Sequence, residues 1–337
     1  MLRRLIFRFD TKNKIGIFLF FLIFSFIVCG QSVLATTVFS PIIELEVEPG
    51  QKQSGVVKVY NETEQDLYLL ASIESFKARD EDGQPEYIAP EQKDIFLKWF
   101  ILAQDDVTLK PSQAIIIPFI VDVPKDATPG GYYAVIFWKD QRGPSDKNNA
   151  INISSKVGTL ILLKVKGALN EQGELTDFKT QPEQKYFFKL PISFLVRFQN
   201  NGNIHLKPSG EIKLRNLWFG QQNILEVNEA QRNVLPSSAR KFEIYWGQTF
   251  SGGWFNQFWS NLDQEVRNFT VGPYLATLEL EYGSDKMQKI NQEITFWLIP
   301  YHLIILLALI IVVLVILFKV NKKIKRIKQG EKNNILQ

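Results

Sequence analysis

Cysteine and histidine are the scarcest chemistry in this 337-residue chain, which holds one of the first and two of the second. Cys29 lies in an apolar stretch that reads as an export leader. A mature chain beginning at Thr36 would therefore carry no disulfide, no thiol nucleophile and no thiolate metal site. The residues before Cys29 are Phe26-Ile27-Val28, where a lipidation signal asks for a small side chain. Of the two histidines, His302 stands in an apolar C-terminal run and His205 beside Asn203 and Lys207 in a turn-like stretch. No Gly-x-Ser-x-Gly or comparable nucleophile motif accompanies His205, so triad chemistry has no footing. A zinc site lacks its ligands. Two facing carboxylates acting on a glycan are the one enzymatic reading left open. The chain reads as a non-enzyme that takes no cofactor and no metal.

Clustered cations are also missing from the body of the chain. The formal net charge is +4, but residues 1–35 and 319–337 hold twelve of the 39 Lys and Arg and only two of the 35 Asp and Glu. The segment between keeps 27 cations against 33 anions. A groove for nucleic acid needs a basic stripe, so nucleic acid is excluded as a partner.

What the chain does have stands at its two ends. Residues 1–35 combine Arg3, Arg4, Arg8, Lys12 and Lys14 with an apolar run from Ile15 and end in Val33-Leu34-Ala35. This pattern predicts a signal peptide cut between Ala35 and Thr36. Residues 297–318 predict a membrane-spanning helix with Trp297 and Tyr301 at one interface. Residues 319–337 bring Lys319, Lys322, Lys323, Lys325, Arg326 and Lys328 directly after it. The positive-inside rule then puts that tail in the cytoplasm and residues 36–296 outside.

Between the ends the texture is β. Short Val-, Ile- and Phe-rich runs such as 42–47, 56–60, 67–73, 115–121, 132–138 and 157–165 are cut by Pro49-Gly50, Asn61, Asp82-Gly83 and Pro129-Gly130-Gly131. The second half replays the first. Phe194 to Phe198 runs into Asn200-Asn201-Gly202 as Val56 to Tyr60 runs into Asn61. Leu235-Pro236-Ser237 precedes a strand as Leu109-Lys110-Pro111-Ser112 does, and Gly272-Pro273-Tyr274 opens one as Gly130-Gly131-Tyr132 does. The expected fold is all-β, with two tandem immunoglobulin-like sandwiches at 36–168 and 169–296 and one C-terminal transmembrane helix.

The order Val47-Glu48-Pro49-Gly50-Gln51, Asn61-Glu62-Thr63, Asp80-Glu81-Asp82-Gly83 before Tyr87, Trp99, Leu109-Lys110-Pro111 and Val123-Pro124 to Gly130-Gly131 resembles the N-terminal domain of the WxL-interacting surface proteins of Gram-positive bacteria. The likeness covers roughly residues 40–140. It implies a peptidoglycan-binding first sandwich, a partner-binding second one and a membrane anchor. More distantly, the strand logic is similar to that of immunoglobulin-like pilus chaperones.

Trp99, Trp138 and Trp246 sit in apolar runs and read as core. Asp80-Glu81-Asp82-Gly83 reads as a solvated hairpin rather than a calcium loop, and Glu44, Glu46 and Glu48 as a solvated strand face. The segment 246–271 interrupts the β rhythm with a short amphipathic helix in which Trp254, Phe255, Phe258 and Trp259 share a face. Those aromatics would plug an end of the second sandwich, or form a foot on the membrane interface, or line a partner groove. The expected function is a membrane-anchored adaptor that engages cell wall or a surface protein. The alternatives are a chaperone-like assembly factor working by β-strand addition and a glycan hydrolase.

Overall fold

The computed structural model describes residues 36–38, 41–88, 94–141, 156–268, 271–284 and 288–335. The leader, with Ala35, lies outside the described residues, and Thr36 opens the first strand.

The fold is two β-sandwiches in tandem followed by a long helix. In the first, β1 (Thr36–Val38), β3 (Lys52–Asn61), β8 (Ala114–Asp122) and β6 (Phe100–Leu102) make one sheet, in the order β1-β3-β8-β6. The facing sheet runs β2 (Ile42–Val47), β10 (Lys156–Val165), β9 (Gly130–Asp140), β4 (Leu67–Ala78) and β5 (Pro85–Ile88), with β7 (Asp106–Leu109) also on β4. The second sandwich repeats that wiring. Its first sheet is β11 (Gly173–Gln181), β13 (Ile192–Asn200) and β16 (Ser238–Trp246). Its second runs β12 (Tyr186–Phe187), β18 (Gln288–Leu298), β17 (Gly272–Tyr282), β14 (Ser209–Asn216) and β15 (Gln222–Val227). Even the odd parallel pair recurs, β2 on β10 and β12 on β18.

Alternation of apolar and polar residues builds each core from the inner faces of the two sheets. Ile117, Phe119 and Val121 of β8 meet Ile136, Trp138, Ile161 and Leu163 in one cluster. Phe194, Val196 and Phe198 of β13 meet Trp246, Tyr274, Leu278 and Phe296 in the other. Trp138 and Trp246 are core residues, as the sequence implies. Trp99 is only half-buried, in a short 3-10 turn at Ile95–Trp99, where it packs on Phe96 and Tyr132.

A buried asparagine ties the corresponding corner of each sandwich. Asn61 donates its amide to the carbonyls of Gln65 (2.8 Å) and Leu109 (3.0 Å) and accepts from the Thr63 N–H. Asn200 donates to Ile204 (2.7 Å) and Val234 (2.8 Å) and accepts from the Gly202 N–H. Leu109 and Val234 each stand two residues before a proline, and the serine after that proline, Ser112 or Ser237, takes a positive φ. The repeat read in the sequence is thus a repeat of hydrogen bonds.

The second sandwich leads into α1 (Trp254–Arg267), between β16 and β17, and the chain ends in α2 (Tyr301–Ile335). The 24 residues Tyr301–Ile324 are long and apolar enough to cross a membrane; at about 1.5 Å per residue they span about 36 Å. The helix begins at Tyr301, not at the expected Trp297. Local strand pairing wins there: the Trp297 N–H donates to Lys185 O (2.7 Å) and that of Ile299 to Phe187 O (2.8 Å), holding the segment extended up to Pro300.

The asparagine ties yield a prediction. Asn200→Ala strips partners from two carbonyls and one N–H inside the core, and orphaned buried groups cost roughly 1–3 kcal/mol each. Thermal unfolding of the full chain in detergent should show a loss of about 3 kcal/mol or more for Asn200→Ala and for Asn61→Ala alike.

Candidate functional site: an interdomain clasp and an open sandwich flank

The β4–β5 hairpin carries Asp80-Glu81-Asp82-Gly83 out of the first sandwich. Asp80 folds the turn by accepting the N–H groups of Asp82 (3.1 Å) and Gln84 (3.3 Å). Gly83 takes φ +75°, and a side chain there would also strike the guanidinium of Arg240. The turn is exposed at Asp80 and Asp82, as a solvated hairpin would be, and it also grips the second sandwich. Glu81 meets Arg197 (3.0 Å), Asp82 meets Lys241 (3.1 Å), and Arg240 donates to the carbonyl of Asp82 (3.0 Å). Donating a hydrogen bond to Asp82 raises the pKa of Lys241, whereas burial lowers that of Arg240. The Lys241 N–H also donates to the Glu81 carbonyl (2.9 Å), so the hairpin adds itself to the outer edge of β16.

A second grip lies on β2. Glu44 stands with Glu46 and Glu48 on an exposed strand face, and it also accepts from Lys207 (2.6 Å) and Asn233 (2.9 Å) of the second sandwich. Burial alone would push its carboxyl up, but those bonds hold it below the usual carboxylate range. Cavities of about 540 Å³ flank the Glu44–Lys207 bridge on each side. A third grip joins Pro129–Gly131 to the Asn200–Asn203 turn: the Gly131 N–H donates to Asn203 O (2.8 Å), and the Asn203 amide to Pro129 O (3.2 Å).

His205 is half-buried here against Tyr133, the rings 5.9 Å apart, and burial pushes its imidazole down to about 4. The His205 Nδ1 lies 3.4 Å from the Tyr133 hydroxyl, a contact between the two sandwiches. The free-chain pKa of the imidazole is near 6.5, so the unfolded chain takes up a proton that the folded chain refuses. The His205 contribution to stability should therefore fall as pH drops from about 6.5 and level off below about 4. Melting temperatures of the full chain over that range, compared with His205→Gln, should show the variant's slope flattened.

Comparing the two sandwiches exposes an open flank. Asn61 lies across from Gln113 and Asn200 across from Ser238, so Pro118 and Ile120 of β8 correspond to Glu243 and Tyr245 of β16. In the first sandwich that stretch of β8 is covered: β6 pairs Ile101 with Ile120, and the Ala103 N–H donates to Pro118 O (2.9 Å). In the second, the chain passes from β15 through a ten-residue loop into β16 and supplies no counterpart of β6. Among the described residues no strand pairs with the outer edge of β16 or of β15. Between those edges runs a trough of about 860 Å³, with Leu225, Phe242 and Ile244 in its lining and Asp82 and Gln84 of the clasp at one end.

Trp254, Phe255, Phe258 and Trp259 all lie on α1, but they do not plug the sandwich. Trp254 is 79% exposed, Phe255 57% and Trp259 47%, while Phe258 is half-buried on His302. The face of α1 that is buried holds Leu262, Gln264 and Glu265. Gln264 accepts the Gln248 N–H (2.6 Å), and Glu265 accepts the Leu303 N–H (3.0 Å).

No protein-family model and no characterised protein matches this sequence. The structure is similar to solved immunoglobulin-like chaperones. The class 5 fimbriae chaperone CfaA matches with TM-score 0.38 at 11% identity, covering 77% of this chain and 98% of that one. The SafA pilin in complex with the SafB chaperone of Salmonella enterica gives TM-score 0.36 at 6% identity, covering 79% and 99%. The CsuC–CsuE chaperone–tip adhesion subunit pre-assembly complex of Acinetobacter baumannii gives TM-score 0.33 at 11% identity, again covering 79% and 99%. Similarity at this level concerns the fold alone.

Proposed function

We propose that this chain is a non-catalytic, membrane-tethered surface protein that binds another protein by β-strand addition at the open flank of its second sandwich. The observation that carries the reading is the edge of β16, where the Lys241 N–H donates outward to the Glu81 carbonyl. Next along that edge, Glu243 and Tyr245 present their backbone groups in the same direction, because alternate residues of a strand do. An extended segment from a partner would take the place that β6 takes in the first sandwich. Its apolar side chains, at every second position, would enter the trough over Leu225, Phe242 and Ile244. Main-chain bonds would supply affinity and the trough would supply selectivity.

The tether is α2, with the basic tail in the cytoplasm and both sandwiches outside, the leader having been removed at Ala35. A surface protein as partner fits this placement. The outer face of the first sandwich adds a second feature suited to protein, the exposed apolar residues Val56, Ile101, Ile116 and Ile120. Cell-wall polymer, which the family resemblance implies for the first sandwich, is tested alongside.

A photo-crosslinking residue at Ile224, on β15 across the trough, reports occupancy in cells making the full chain. It should trap one discrete protein. Tyr245→Pro removes an outward N–H on an edge strand, where proline is tolerated, and should cut the crosslink about tenfold while leaving the melting temperature unchanged. A crosslink indifferent to Tyr245→Pro, or retention on purified sacculi with no crosslinked protein, would contradict the reading.

A further inference from the structure

Exposed aromatic side chains crowd one end of the second sandwich, the end from which α2 departs. Trp218 and Phe219 stand on the β14–β15 turn, Tyr186 and Phe188 on and beside β12, and Trp254, Phe255 and Trp259 on α1. They are placed around the last residues before the helix. Trp218 packs edge-on to Trp297 at 5.5 Å and covers Gly272, which has φ +99° and no room for a side chain. The carbonyl of Phe188 accepts the Tyr301 N–H (3.4 Å). Helix α1 is pinned to the first turn of α2 at two points. The ring of Phe258 lies 5.2 Å from that of His302, and Glu265 accepts from both the His302 Nδ1 and the Leu303 N–H. A carboxylate at a helix N-terminus satisfies donors that the helix itself leaves free and opposes its dipole favourably.

We propose that this base is a membrane foot: the Trp218 turn and the aromatic face of α1 rest in the headgroup layer of the bilayer that α2 enters. Three observations favour lipid over a protein partner. The surface is continuous with the first turn of the spanning helix, so a bilayer around α2 meets it without further assembly. Its exposed residues are the types that settle at a membrane–water interface, with amphipathic rings. The stretches 217–220 and 246–262 contain no Asp, Glu, Lys or Arg, so no charge need be desolvated. Attachment would rest on apolar and indole contacts and would be insensitive to salt. Because Glu265 and Phe258 lock α1 to α2, the depth of the span fixes the height of the foot.

The chain has seven tryptophans, and four of them, Trp218, Trp254, Trp259 and Trp297, are the exposed ones at this base. The full chain is reconstituted in vesicles of phosphatidylcholine and phosphatidylglycerol, part of the phosphatidylcholine brominated high on its acyl chains. Bromolipid should quench about half of the tryptophan emission, the share those four contribute. The Trp254→Phe/Trp259→Phe variant changes only exposed rings and should keep its melting curve while its lipid-quenchable emission drops to roughly half that of the parent. Lipid quenching equal in variant and parent would overturn the foot, since α1 would then be away from the bilayer. Quenching of the Trp254 and Trp259 emission by aqueous iodide instead of bromolipid would overturn it as well.

Discussion

One backbone hydrogen bond, from the Lys241 amide to the Glu81 carbonyl, sets how the two sandwiches meet. Two sandwiches joined by a short connection have no intrinsic reason to hold one angle. Here the hairpin of the first adds itself to the free edge of the second, and ion pairs at Arg197 and Lys241 anchor it. Exposed ion pairs alone are worth little. A backbone bond in register, a glycine that lets Arg240 lie against the turn, and the Glu44 and Asn203 grips together fix the orientation. The same hairpin covers the first rung of the β16 edge and leaves the following rungs open.

Duplication with one omission is the second theme. Both sandwiches use the same strand order, the same parallel edge pair and the same asparagine at the same corner. The first fills its flank with the segment carrying β6 and β7. The second has no such segment, and carries instead the extra helix α1, beside the start of α2. Under the proposed function, a strand from a partner would lie where β6 lies in the first copy. The paired edge at Lys241 shows what such an addition looks like.

Much of this was legible in the sequence, for identifiable reasons. Period-two alternation marked the strands, and the recurrence of Asn61 and Asn200 with the Pro-Ser turns marked the repeat, because buried corner bonds demand particular side chains. The short helix near 254–262 was visible from its spacing. The destination of Asp80–Gly83 and of Glu44 was not, since both pair with residues more than a hundred positions away and depend on how two domains meet. The aromatics of α1 read first as a core plug and only then as surface, because amphipathicity names a face without naming what covers it. The start of α2 was misplaced by four residues because Trp297 and Leu298 suit a strand as well as a span, and β12 decided between them. Nothing in the sequence announced the open flank; it is visible only when the two sandwiches are laid over one another.

Amide hydrogen exchange along β16 in the full chain, resolved by residue, tests the central claim most directly. With hairpin and edge arranged as described, the outward amide of Lys241 is protected by Glu81, while those of Glu243 and Tyr245 exchange as free edge amides. Equal protection at all three positions would mean that the chain already covers its own flank, and fast exchange at Lys241 would mean that the clasp does not hold. Either result would contradict a rigid pair of sandwiches offering one open edge.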